Sequence, residues 1–306
     1  MVVWIGSRTR RPTTWQIVAA YAATTALALS GCSGSSEPTR PAATDAVQAQ
    51  RVDAIAGTVP EQIKTSGNLV IGVQIPYPPN EFKDPDGRLV GFDVDLMDAI
   101  AGTIGLNPDY READFAKIIP SVQDGTFDVG MASLTDTRER EEQVDFVTYL
   151  SAGTLWAQPA GGDIDPEDAC GRKIAVQVTT VQETDELPAR SQKCTDAGRP
   201  PIEIVPFDTQ DEVTNAVIGG EVDAMSADSP VTLYAIKQTN GKLVRAGQVF
   251  DAAPYGWPVQ KGSPLAQSLL QALEHLIETG RYREIAANWG LEEGMIDKPA
   301  INGAVS

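Results

Sequence analysis

The residues best suited to do chemistry in this chain lie in Asp128 to Arg140, DVGMASLTDTRER, and around Asp228. The first stretch begins as a β-forming run (Val129, Gly130, Met131), passes into small and hydroxyl residues (Ser133, Thr135) and reaches Arg140. In an open α/β sheet, ligands bind beyond the carboxyl ends of the strands. An arginine just past such a strand has a rigid five-donor fork that pairs bidentately with a carboxylate. The rhythm recurs: Gly125-Thr126-Phe127-Asp128 leads into the first strand and Gly220-Glu221-Val222-Asp223 into a second, after which come Ala227 and Asp228. Two α/β lobes, one ending in hydroxyls and Arg140 and the other in Asp228, make a clamp for a zwitterion. The guanidinium takes a carboxylate and the Asp takes an ammonium.

Other chemistries find little support. The chain has 306 residues, 42% of them hydrophobic, a formal net charge of −18 and a single histidine, His275. That acidity argues against nucleic acid and anionic lipid as partners. His275 lies in a Leu-rich helical stretch beside Glu274, where a structural or surface role is expected. Neither a Gly-x-Ser-x-Gly nucleophile motif nor a Gly-rich phosphate loop is present. No cofactor and no metal are therefore expected, and Cys170 and Cys194 have no His or further Cys nearby to complete a zinc site.

The elements that must position these residues follow in order. Residues 1–31 read as a targeting signal: Arg8, Arg10 and Arg11 precede an apolar run from Trp15 to Leu29. It ends Leu29-Ser30-Gly31-Cys32, which matches the bacterial lipoprotein box, so Cys32 is expected to be lipidated; a plain cleaved signal is the alternative. With Cys32 consumed, Cys170 and Cys194 form one possible disulfide in an oxidising compartment, against two buried free thiols. Residues 32–60, rich in Ser, Pro, Thr and Ala, read as a flexible tether. From Leu69 the pattern is βαβαβ, with strands near Leu69–Val73, Asp109–Ala113 and Val129–Met131 and helices near Val94–Ile104 and Phe115–Gln123. After Val144 to Pro159 the plan repeats. Strands are expected near Lys173–Val178, Ile202–Val205 and Val222–Met225, and helices after Thr180, at Gln210–Ile218 and after Asp228-Ser229-Pro230. The chain then returns through Tyr255–Val259 to helices at Leu265–Ile277 and up to Trp289. The assignment is lobe 1 over 61–156, lobe 2 over 157–248, and a return to lobe 1 over 249–306. Each lobe is an α/β unit with a mostly parallel sheet flanked by helices, and two crossings between lobes make a hinge.

These residues carry a resemblance. Tyr77-Pro-Pro, Gly91-Phe-Asp-Val-Asp-Leu96, Ile119-Pro120-Ser121, Gly125-Thr-Phe-Asp128, Ser133-Leu-Thr135 with Arg140, and Val144-Asp-Phe146 stand in one order. Gly220-Glu-Val-Asp223, Asp228, Pro254-Tyr-Gly256 and Trp289-Gly290 continue it. The set resembles the family 3 extracellular solute-binding proteins, the polar amino-acid-binding proteins of ABC importers, over about Asn68 to Leu291. The resemblance implies a type II periplasmic-binding-protein fold. It implies that Arg140 holds a ligand carboxylate, helped by the Ser133 backbone and Thr180. Asp228 would accept from the α-ammonium, Thr135 would add a hydrogen bond, and Tyr77 and Phe115 would form apolar walls.

Each assignment has a plainer counterpart. Arg140 sits in a charge run with Glu139, Glu141 and Glu142, Asp228 is placed to cap the helix that opens at Pro230, and Thr180 starts a helix. Tyr77 suits turn packing and Phe115 suits the core. The chain departs from the family at Gln74, Asn80 and Val178, so the ligand's identity does not carry over; Glu81, read as an exposed acid, only hints at a basic side chain. The expected partners are a free polar amino acid, an ABC importer permease and the membrane through the lipid anchor. The protein is expected to act as a monomer on the extracytoplasmic face. A ligand sensor for a membrane signalling protein is the alternative, and a dehydratase or lyase on the same fold comes after it.

Overall fold

The structure, a computed structural model, describes residues 50–305. The signal segment, Cys32 and the first part of the tether lie outside the described residues. Among the described residues ten strands and ten α-helices follow in chain order. The first half holds α1 (Asp53–Ala56), α2 (Glu61–Ser66), β1 (Asn68–Val73), β2 (Phe82–Lys83), β3 (Leu89–Val90), α3 (Phe92–Ile104), β4 (Asn107–Glu112), α4 (Phe115–Gln123), β5 (Val129–Met131), α5 (Arg138–Glu141) and β6 (Val144–Pro159). The second half holds β7 (Lys173–Gln177), α6 (Leu187–Asp196), β8 (Glu203–Phe207), α7 (Gln210–Gly219), β9 (Ala224–Asp228), α8 (Ser229–Gln238), β10 (Leu243–Gln260), α9 (Leu265–Glu278) and α10 (Arg281–Trp289).

Eight strands form one sheet in the order β4-β1-β5-β10-β6-β9-β7-β8. At one end β1 pairs in parallel with β4 and β5; at the other, β7 pairs in parallel with β8 and β9. Between them β6 and β10 run antiparallel, from Leu243 opposite Pro159 to Gln260 opposite Val144. These two long strands are the crossings between lobes. The sequence reads Val144 to Pro159 as the first crossing and Tyr255–Val259 as the return; in the structure β6, VDFVTYLSAGTLWAQP, is buried almost throughout and shows no two-residue alternation. The pairing breaks register between Ala246 and Phe250 and between Phe250 and Ala253, opposite Gly153. A Cβ on Gly153 would lie 2.6 Å from the Phe250 carbonyl oxygen, so glycine is required where the strands pass closest. Bulges of this kind bend a strand and raise its twist, which suits the point where one lobe gives way to the other.

Helices cover both faces of the sheet in each lobe. In lobe 1, Leu69, Ile71, Met97, Ile100, Leu269, Leu273 and Trp257 pack on one face and Ile118, Val122, Phe127 and Phe146 on the other. In lobe 2 the corresponding groups are Trp156, Ile174, Val176, Leu187 and Cys194, and Val213, Val217, Met225 and Leu243. Each fully buried Leu, Ile or Val contributes roughly 2 kcal/mol by leaving water. The tether reading fails over its last residues: α1 is helical, Ala56 and Val59 are buried against lobe 1, and the Val52 N–H donates to Thr103 O at 2.9 Å. Ala56 ends α1 and Val59 lies in the turn after it, so no helical spacing marks the pair among the surrounding Gly, Thr and Pro.

Cys170 and Cys194 form a disulfide, with Cα atoms 5.6 Å apart, that ties the loop before β7 to α6. It closes a loop of 24 residues, worth about 3 kcal/mol in the chain-entropy account. Replacing both cysteines by serine is expected to lower the unfolding free energy by about 3 kcal/mol in a denaturant titration.

Candidate ligand-binding cleft

Arg140 reaches the cleft because a short turn of helix follows β5. Ala132 and Ser133 continue buried beyond the strand, Ser133 with φ 48°, and the Thr137 hydroxyl caps α5 by accepting the Arg140 N–H at 3.3 Å. The guanidinium then spans the lobes: Nη1 donates to Thr135 O at 2.8 Å in lobe 1 and Nη2 to Thr179 O at 3.0 Å in lobe 2. It lies 5.8 Å from the centre of the Phe115 ring, a cation–π distance. Burial lowers the Arg140 pKa, and Asp228 and then Asp185 oppose the shift. A cavity of about 250 Å³ opens here, lined by Phe115, Ile119, Arg140, Thr179, Thr184 and Asp185 among others.

Asp228 is the last residue of β9, and its carboxylate does not cap α8. Its Oδ2 accepts the Tyr77 hydroxyl across the cleft at 2.8 Å, and its Oδ1 accepts Gln182 Nε2 at 2.8 Å. Gln182 also donates to Thr154 Oγ1 at 3.0 Å, and it opens a π-helical turn over Gln182–Glu186 that leads into α6. Such turns are often found at functional sites. Burial raises the Asp228 pKa, while the nearby Tyr255, Tyr77 and Gln182 side chains and Arg140 pull it back.

A second acidic group lies behind Tyr77 in lobe 1. Gly91, at φ 143°, precedes α3 where a Cβ would sit 1.9 Å from the Asn80 carbonyl oxygen, so only glycine lets the 77–81 loop close on the helix. The Phe92 and Asp93 N–H groups donate to Pro79 O and Asn80 O at 3.0 and 2.9 Å. This brings Asn80, Glu81 and Asp93 together, all with no exposed surface. Ser133 Oγ accepts from Asn80 Nδ2 at 2.8 Å and lies 3.3 Å from both Glu81 oxygens and 3.4 Å from Asp93 Oδ2. Tyr149 donates to Asp93 Oδ2 at 2.6 Å. Burial pushes the Glu81 pKa well up, with Asp93 adding to it, and pushes Asp93 up to about 6 against the Tyr149 hydrogen bond. The two acids act as a pair that retains a proton near neutral pH. Gln74 Oε1, Asn80 Oδ1 and Asp93 Oδ1 are buried acceptors with no protein partner. Among the described residues no group of three or more His, Cys, Asp or Glu is arranged to hold a metal ion.

Arg140 and Phe115 line the cavity, while Asp228 and Tyr77, which do not line it, pair with each other between the lobes. Thr135 faces Arg140 with its carbonyl, and Ser133 uses its hydroxyl on the lobe 1 acids. The Thr180 hydroxyl donates to Gln177 O at 2.8 Å inside lobe 2, and the neighbouring Thr179, at φ 62°, gives its carbonyl to Arg140. Glu81 is corrected from an exposed acid to a fully buried one. Asp93 and Gln182 escaped the sequence reading. Asp93 sits inside a helix-start pattern, and Gln182 gains its role only from the π turn.

Residues 69–292 match the profile of the bacterial extracellular solute-binding proteins, family 3. The chain belongs to this family. This family 3 protein is 41% identical over 280 residues to the arginine-binding protein ArgT of Corynebacterium glutamicum, a match covering 91% of the chain and 92% of that relative. It is 30% identical to an L-arginine-binding protein of Pseudomonas aeruginosa, over 70% of the chain and 85% of the relative. Among solved structures it is similar to an ancestral arginine-binding protein bound to arginine, with a TM-score of 0.67 and 36% identity over 73% of this chain and 98% of that one. The two-lobed fold is that of these periplasmic binding proteins.

The buried acid pair makes a prediction about stability. Both folded pKa values are raised, so the folded state holds protons that the unfolded state releases, and this stabilising term is lost as pH rises from about 4 through 6 and beyond. Glu81→Gln is expected to be more stable than the wild type by a margin that grows between pH 5 and pH 8 in denaturant titrations. A margin that is flat or shrinks with pH would count against the pair.

Proposed function

We propose that the protein captures a cationic L-amino acid of the arginine class between its lobes, outside the cytoplasmic membrane, and presents it to an ABC importer permease. The observation that carries this reading is a charge imbalance. Among the described residues, Asp228, Glu81 and Asp93 are buried about the cleft, and the guanidinium that reaches across it is that of Arg140. A zwitterion needs one charge of each sign, which Arg140 and Asp228 supply. The remaining acids and the unpartnered Gln74 and Asn80 oxygens form an acceptor surface that suits a donor-rich cation. The arginine-binding relatives point the same way.

In this reading Arg140, with the Ser133 backbone and Thr180, holds the α-carboxylate, and Asp228 holds the α-ammonium with Thr135 assisting. Tyr77 and Phe115 flank the ligand's side chain. No reaction is required, because the closed state gains contacts from both lobes that an open state lacks, and the ligand shifts the population by that difference. Lipidation of Cys32 and the tether beyond it would keep a monomer at the membrane surface. No helix among the described residues is long and apolar enough to cross a membrane.

A thermal-shift screen of the purified protein, refolded to remove carried-over ligand, tests this against the twenty amino acids and ornithine. A ligand at a thousandfold over its Kd adds about 4 kcal/mol. The expected result is a clear shift with arginine or its cationic neighbours. That shift should be lost in Arg140→Ala and in Asp228→Ala while both variants still melt cooperatively. Unchanged binding in either variant removes that residue from the site.

A further inference from the structure

The segment after residue 294 lies beyond the family match, which ends at residue 292, and is not used by the ligand reading. It crosses lobe 1 along the edge of β6. Ile296 N–H donates to the Tyr282 hydroxyl at 3.2 Å, and Thr148 N–H donates to Ala300 O at 2.9 Å while Ala300 N–H returns to Thr148 Oγ1 at 2.8 Å. Asn302 pairs both ways with Phe146: its N–H donates to Phe146 O and its Oδ1 accepts the Phe146 N–H, both at 2.9 Å. Its Nδ2 reaches Asp145 Oδ1 at 2.9 Å. Ile301 forms an antiparallel bridge with Val147. The segment thereby closes the edge of β6 that, further along the strand, is closed by β9.

Its last contacts fall on either side of Arg140. Gly303 N–H donates to Asp136 Oδ2 at 2.7 Å, and Ala304 N–H donates to Glu141 Oε1 at 3.0 Å. Asp136 is fully buried, its own N–H is fixed to Pro254 O at 2.8 Å, and it follows Thr135, whose carbonyl holds Arg140 Nη1. Glu141 directly follows Arg140 in α5. That helix has four residues and cannot hold its shape alone, because one turn costs more to nucleate than its hydrogen bonds return. Burial pushes Asp136 up to about 7, with Glu141 adding to the shift and the Gly303 N–H opposing it.

We propose that residues 300–304 form a strap that positions Arg140, fixing the two ends of the 135–141 segment so that the guanidinium stands ready across the cleft. The strap touches no ligand. Its effect on affinity rests on the reading of Arg140 as the carboxylate fork.

Two measurements on the purified protein test it, comparing the full chain with one ending at Pro299. Amide hydrogen exchange in 135–142 should accelerate at least about tenfold on truncation while exchange in the Lys173–Gln177 strand of lobe 2 stays unchanged. The Kd for L-arginine should rise at least about tenfold. Should the shortened chain not fold, point variants decide. Asp136→Ala should weaken binding, and Asp136→Asn, which keeps an acceptor for the Gly303 N–H, should recover most of the loss. Unchanged exchange in 135–142, faster exchange with a Kd within twofold of the wild type, or equal affinities of Asp136→Ala and Asp136→Asn would each overturn the strap. Failure of the full chain to bind arginine at all would instead overturn the ligand reading, and the exchange result would still decide whether the strap orders the 135–141 segment.

Discussion

A carboxylate taken out of water must be neutralised by a proton, by hydrogen bonds or by a cation, and most of this cleft follows from that requirement. Asp228 meets it with a tyrosine and a glutamine, each held by a different lobe. Glu81 and Asp93 meet it with each other, with Ser133 and Tyr149, and with a retained proton. A proton and a cationic side chain can serve the same pair in turn. Arg140 is the counterweight, placed so that its two donor ends bind different lobes.

The sheet makes this arrangement possible. Because β6 and β10 run through both lobes, the carboxyl ends of β1, β5, β7 and β9 converge on the same cleft. Thr135 lies at the end of the segment that follows β5, and its bridge to Tyr255 on β10 ties the Arg140 loop to a crossing strand. The contacts that would grip a ligand and the strands that let the lobes move are therefore built from neighbouring residues.

Much of the fold was legible in the chain because the parallel strands are short, apolar and bounded by Gly and Asp, and the helices carry apolar residues at helical spacing. Boundaries of α4 and β5 follow directly from Phe115–Gln123 and Val129–Met131. The crossing strands were less visible, since burial on both faces erases alternation. Around the site, Arg140 and Asp228 stood out because charged residues past apolar strands are conspicuous. Glu81 and Asp93 did not. Their burial depends on the Gly91 backbone approaching Asn80, a contact made by residues whose types look like an ordinary turn and helix start. Thr179 is missed for a similar reason: a positive φ turns its carbonyl toward Arg140, and a threonine gives little warning of that.

With a cationic amino acid as the ligand, the lobe 1 acids select for charge on its side chain. Calorimetric titration of L-arginine against L-citrulline isolates that property, because the two have nearly the same shape and differ in replacing a guanidinium by a neutral urea. Citrulline is expected to bind at least about a hundredfold more weakly, the loss of charge-assisted hydrogen bonds to buried acceptors. Citrulline binding within about threefold of arginine would contradict it.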